Sequence, residues 1–175
     1  MSYVTLFYLV PLAGVIGLLY TFIRFRWVSK QNAGTDRMKE IATYIAEGAM
    51  AFLKAEYKIL SYFVIITALL LGFMGTQNPN SHWLIAVAFI IGAVFSALAG
   101  FIGMRIATKA NVRTAHAART SLRKALSVSF AGGSVMGLGV AGLAVLGLGS
   151  VFIVLIPYLA PNAIATDHLV QKDIK

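Results

Sequence analysis

Four long blocks without a charge restrict this chain more than any other feature. They cover residues about 3–23, 59–74, 83–104 and 126–156, and none contains Asp, Glu, Lys or Arg. In hydrocarbon a backbone has to satisfy its own N–H and C=O groups, so apolar stretches of this length become membrane-spanning helices. Hydrophobic residues make up 59% of the chain and charged ones 12%, about half the charged share of an average soluble domain. The expected class is an all-α integral membrane protein. It has four transmembrane helices with cytosolic helical extensions, a single membrane region over 1–175 and no separate soluble domain.

The distribution of cations orients the spans. Of the fifteen Lys and Arg residues, seven fall in 24–58, none between the second and third spans, and six in 105–125; the last two are in the tail. Basic loops stay in the cytosol. Both ends of the chain are therefore expected on the non-cytosolic side, and 24–58 and 105–125 in the cytosol. The same rule accounts for the net charge of +9, which in a soluble protein would suggest nucleic acid; no nucleic-acid partner is expected here. Without cysteine, disulfides and thiolate metal sites are excluded.

Gly34-Thr35-Asp36 reads as a helix start, with Asp36 favourable at the positive end of the dipole. Apolar residues then recur at helical spacing from Met38 to Leu53, and no breaker separates them from the second span. One long helix is expected, amphipathic outside the membrane and apolar within it. Asn78-Pro79-Asn80 marks a turn on the outer side, and Trp83 an interfacial anchor. Between the third and fourth spans the turn is expected at Thr120-Ser121, with Asn111 the other candidate. Pro157 and Pro161 are expected to end the last helix.

The stretch 92–119 joins two characters. Its first half carries Gly92, Ser96 and Gly100 at four-residue spacing, which on a helix forms one small face that another membrane helix can approach. Its second half gains Arg105, Lys109, Arg113 and Arg119 without any acid, a cationic stripe along one side of a cytosolic helix. The stripe reads as a topology determinant with a solvated face, or as a contact for anionic lipid headgroups. Gly133 and Gly137 form a further small pair in the glycine-rich fourth span.

No residue pattern supplies chemistry. Gly137, Gly139 and Gly142 match the dinucleotide pattern G-x-G-x-x-G, but inside a membrane span, with neither the strand nor the later acid that the fingerprint needs. His82, His116 and His168 are far apart and lack metal-ligand spacing. No acid lies within a span, so the usual mark of an ion path is missing. No catalytic, cofactor-binding or metal residue is expected in this chain.

Three stretches resemble a known family in order and spacing: GTDRMKEIATYIAEGAMAFLKAEYK, GAVFSALAGFIGMRIATKANVRTAHAAR and ALSVSFAGGSVMGLGVAGLAVLGL. They are similar to the N-terminal part of membrane-bound inorganic pyrophosphatases, ion pumps that couple pyrophosphate hydrolysis to the export of protons or sodium ions. The resemblance implies a much longer homodimeric protein of a prokaryotic cell membrane. Its magnesium-dependent and sometimes potassium-dependent site would lie on an inner ring of helices beyond the four present here. The family's acidic motif, D-x7-K-x-E, is not carried in usable form by Asp167 and Lys175. These four helices would then be an outer-ring segment, partnered by the remaining helices of the same pump and by the bilayer. The alternative is a complete four-helix scaffold or subunit whose basic face binds lipid or a partner.

Overall fold

The computed structural model describes residues 3–77 and 82–159. They form four helices: α1 (Tyr3–Lys30), α2 (Asp36–Gln77), α3 (Leu84–Ala118) and α4 (Leu122–Leu159). All four are long and apolar enough to cross a membrane. As the sequence predicts, α2 runs unbroken through its amphipathic and apolar halves. The turn between α3 and α4 falls at 119–121, where the N–H groups of Thr120 and Ser121 both donate to the Ala117 carbonyl. The Asn78-Pro79-Asn80 turn and the tail from 160 onward, including Pro161 and His168, lie outside the described residues.

One boundary differs from expectation. Helix α4 does not stop before Pro157 but runs on to Leu159. Pro157 removes one intrahelical N–H bond, and the helix ends two residues beyond it.

Helix α4 packs between α1 and α3, and α2 lies against another face of α3. Two kinds of contact hold α1, α3 and α4 together. At the end of the bundle that carries the basic residues, Val28, Ile106, Ala110, Ala131 and Val135 form a buried cluster with Phe25 packed on it. Toward the opposite end, backbones meet directly. A Cβ on Gly14 would lie 2.9 Å from the Leu146 nitrogen, and one on Gly149 would lie 2.9 Å from Pro11 Cγ. Lipid tails are as apolar as leucine, so burial alone does not drive helices together in a membrane. Close packing does, and glycine permits it. The large apolar side chains that remain exposed, such as Ile59, Leu69, Phe130 and Leu148, lie on faces suited to lipid or further helices.

Candidate functional site: a cationic junction at the helix ends

The carbonyls in the last turn of a helix lack intrahelical partners. At the end of α1 these groups are met by a side chain from α3. Arg113 donates from Nε to the Gln31 carbonyl at 3.0 Å and from Nη2 to the Ser29 carbonyl at 3.1 Å. Its Nη1 donates to the Lys109 carbonyl of its own helix at 2.9 Å. A guanidinium suits this task because its fixed fork presents several N–H groups at once, and its charge complements the negative end of the α1 dipole. Burial pushes the Arg113 pKa below its ordinary value.

The rest of the stripe is likewise directed onto neighbours. Lys109 Nζ lies 4.9 Å from the centre of the Phe25 ring on α1, a cation–π contact. Arg105 covers Phe101 of its own helix at 5.4 Å. Arg119 Nη1 reaches to 4.0 Å from Met38 Sδ. The four cations are thus not one uniform solvated face: two of them bind α3 to the end of α1. Spacing alone put these residues on one side of a helix but gave no sign of what that side would meet.

The connection from α1 to α2 is held against the same region. Gly34 has φ of +90°, a conformation that side chains other than glycine rarely adopt. Its N–H donates to Asn32 Oδ1 at 2.8 Å, and Met38 N–H donates weakly to Thr35 Oγ1 at 3.4 Å. A Cβ on Gly34 would lie 2.6 Å from Met38 Sδ and 3.0 Å from His116 Nδ1. The glycine therefore serves both the turn and the close approach of α3.

Two openings flank this junction. A cavity of about 320 Å³ lies among the ends of α1 and α3 and the start of α4, bordered by Trp27, Gln31, Arg113, His116, Thr120 and Lys124. A groove of about 600 Å³ separates the first half of α2 from the second half of α3, with Lys39, Glu47, Arg105 and Lys109 among its lining.

The small residues singled out from spacing are distributed differently from one another. Gly100 meets α2: a Cβ there would lie 3.0 Å from the Tyr57 hydroxyl, which donates to the Ala97 carbonyl. Gly92 and Ser96 line an apolar groove of about 380 Å³ beside α4. At Gly92, Gly133 and Gly137 an added Cβ would meet nothing within 4 Å, so these faces are open in the four-helix unit. Close approaches are made at Gly14, Gly142, Gly149 and Gly132 instead. Glycines occur around much of α4, so a four-residue interval cannot tell which of them faces a neighbour.

The dinucleotide-like glycines lie within α4. A Cβ on Gly139 would approach Thr21 Cγ2 to 3.3 Å, and one on Gly142 the Gly14 carbonyl to 3.1 Å. Their role is helix packing. Among the described residues no three of His, Cys, Asp and Glu come together to hold a metal ion. Asp36 and Glu40 are instead paired with Lys39 and Arg37 at 2.9 and 2.8 Å. The described residues do not fit the magnesium ion that the family resemblance implies.

The family model for inorganic H+ pyrophosphatase matches residues 15–171. A K(+)-stimulated pyrophosphate-energized sodium pump of Thermotoga maritima is 46% identical over 137 residues, covering 77% of this chain and 18% of the relative. The K(+)-insensitive pyrophosphate-energized proton pump 2 of Moorella thermoacetica is 44% identical over 147 residues, covering 84% and 21%. A K(+)-insensitive pyrophosphate-energized proton pump of Methanosarcina mazei is 43% identical over 148 residues, covering 85% and 22%. The chain spans about one fifth of the length of these relatives. With four apolar helices in the order that the resemblance implies, and a family match across most of its length, this chain belongs to the inorganic H+ pyrophosphatase family.

Proposed function

We propose that the chain is the N-terminal, outer-ring segment of a pump that couples pyrophosphate hydrolysis to the export of protons or sodium ions from the cytosol. The observation that carries this reading is the family match over 15–171, together with relatives about four times as long as this chain. The segment would contribute scaffolding, and the hydrolytic site, with magnesium and in some members potassium, would be built from the remaining helices. Homodimerisation of the whole pump belongs to the same proposal, as do outward-facing chain ends and cytosolic basic segments.

Two features support a scaffolding role. Ile41, Ile45 and Phe52 on the cytosolic half of α2 are about half exposed or more, away from the α3 contact. The open faces of Gly92, Gly133 and Gly137 lie in the membrane-spanning parts. The first set would brace the hydrolytic head, and the second would receive inner helices. The intact mass of the natural product carrying these helices tests the reading. A mass several times 18.8 kDa is expected; one near 18.8 kDa would instead make the chain a four-helix scaffold.

A further inference from the structure

We propose that the cavity bordered by Trp27, His116 and Lys124 takes the phosphate group of an anionic phospholipid from the cytosolic leaflet. The inference rests on the membrane orientation proposed above, not on the pumping activity.

Charge is the first argument. The described parts of α1, α3 and α4 carry Arg24, Arg26, Lys30, Arg105, Lys109, Arg113, Arg123 and Lys124, with Arg119 in the turn, and no acid at all. The ion pairs among the described residues, Arg37–Glu40 and Lys39–Asp36, lie on α2. Like charges gathered without a counter-charge raise a positive potential that attracts an anion from outside the protein. Arg113 already spends its fork on backbone carbonyls, so Lys124 is left as the cation whose charge faces the cavity. The lining also offers the Thr120 and Ser127 hydroxyls and the Gln31 amide, groups that can donate to phosphate oxygens.

Location selects lipid over a soluble phosphate. The cavity lies one turn beyond Ile23, the last residue of the first uncharged block, and at the very start of the fourth, whose Ser127 and Val128 line it. Trp27 forms part of its wall, an amphipathic ring at the depth where headgroups meet acyl chains. Ile23, Leu126 and Phe130 nearby are exposed by 65%, 47% and 73%, leaving apolar surface for the chains of a lipid whose headgroup occupies the cavity. Arg24, lying 5.8 Å from the Trp27 ring, adds to the interfacial positive charge.

The test uses the full-length protein in nanodiscs of phosphatidylcholine with a minority of phosphatidylglycerol, with retained lipid read by native mass spectrometry. Wild type should retain phosphatidylglycerol preferentially. Lys124→Gln should lose about five-fold in that preference, the worth of one cation near an anionic membrane surface. Lys124→Arg should keep most of it, and Arg26→Gln, outside the cavity, should change it less. Equal retention by wild type and Lys124→Gln would overturn the proposal. So would displacement of the lipid by millimolar inorganic phosphate, which would assign the cavity to a soluble anion. If Lys124→Gln fails to fold, the same comparison made with Thr120→Val and Ser127→Ala decides it. Labelling of Ala118→Cys from the cytosolic side separates a failure of orientation from a failure of lipid binding.

Discussion

Gly14 on α1 and Gly142 on α4 face each other so closely that neither has room for a side chain. A Cβ on Gly14 would lie 3.0 Å from the Gly142 carbonyl oxygen, and one on Gly142 would lie 3.1 Å from the Gly14 carbonyl oxygen. Both obstacles are helical backbone, which cannot swing aside like a flexible side chain. Gly14→Val should force α1 and α4 apart and cost about 1–3 kcal/mol, the usual range for overpacking. Thermal unfolding in detergent would measure it, and an unchanged midpoint would show that the two backbones are not in contact.

Gly137→Leu gives the opposite expectation within the four helices, since a Cβ there meets nothing within 4 Å. Under the proposed function its effect belongs to the whole pump. The variant should impair assembly while leaving pyrophosphate affinity of the assembled fraction unchanged. Normal assembly with selective loss of pyrophosphate binding would count against an outer-ring role.

Arg113 ties the end of α1 to α3 through two carbonyls, those of Ser29 and Gln31. Hydrogen bonds from a charged donor are worth roughly 1.5–3 kcal/mol each when removal leaves a buried partner unmet. Because these acceptors are only partly buried, Arg113→Gln should cost about 2 kcal/mol in total. It should also raise hydrogen exchange around 28–35. Arg113→Lys should not restore protection, because a single ammonium cannot span both carbonyls.

At Gly34, φ of +90° and the nearby Met38 sulfur both oppose a side chain. Gly34→Ala should destabilise by about 1–2 kcal/mol, the cost of a left-handed backbone in a residue with a Cβ. Met38 is flexible and can move, so most of the loss should come from the backbone. The double variant with Met38→Ala should therefore recover little of it.

Lys39 holds the Asp36 carboxylate below its ordinary pKa through a hydrogen bond and its charge. A lowered pKa in the folded state stabilises the folded form above the unfolded value and is lost as pH falls through the folded one. The first turn of α2 should therefore fray as pH drops below about 4, the ordinary aspartate range. Asp36→Asn should remove that dependence, as read by amide exchange at Lys39.

Much of the architecture was legible because the bilayer leaves a chain few choices. Uncharged length located the four spans, and the uninterrupted run from Asp36 to Gln77 foretold one long helix. Thr120-Ser121 marked the last turn because two hydroxyl residues favour a helix start over a helix interior. Side-chain destinations were harder to read. Arg113 and Lys109 looked like members of one stripe, yet their meaning depends on α1, which lies about eighty residues earlier in the chain. Likewise, Gly133 and Gly137 have the spacing of a packing pair, while Gly14 and Gly142 have the neighbours. Helical periodicity assigns a face; tertiary pairing decides what the face meets.

The most direct test of the pump assignment is pyrophosphate-driven ion uptake into inverted membrane vesicles containing the natural protein. With magnesium and pyrophosphate supplied outside, the vesicles should accumulate protons or sodium ions, and the uptake should stop when pyrophosphate is exhausted. Vesicles that contain the protein but move neither ion on addition of pyrophosphate would contradict the assignment.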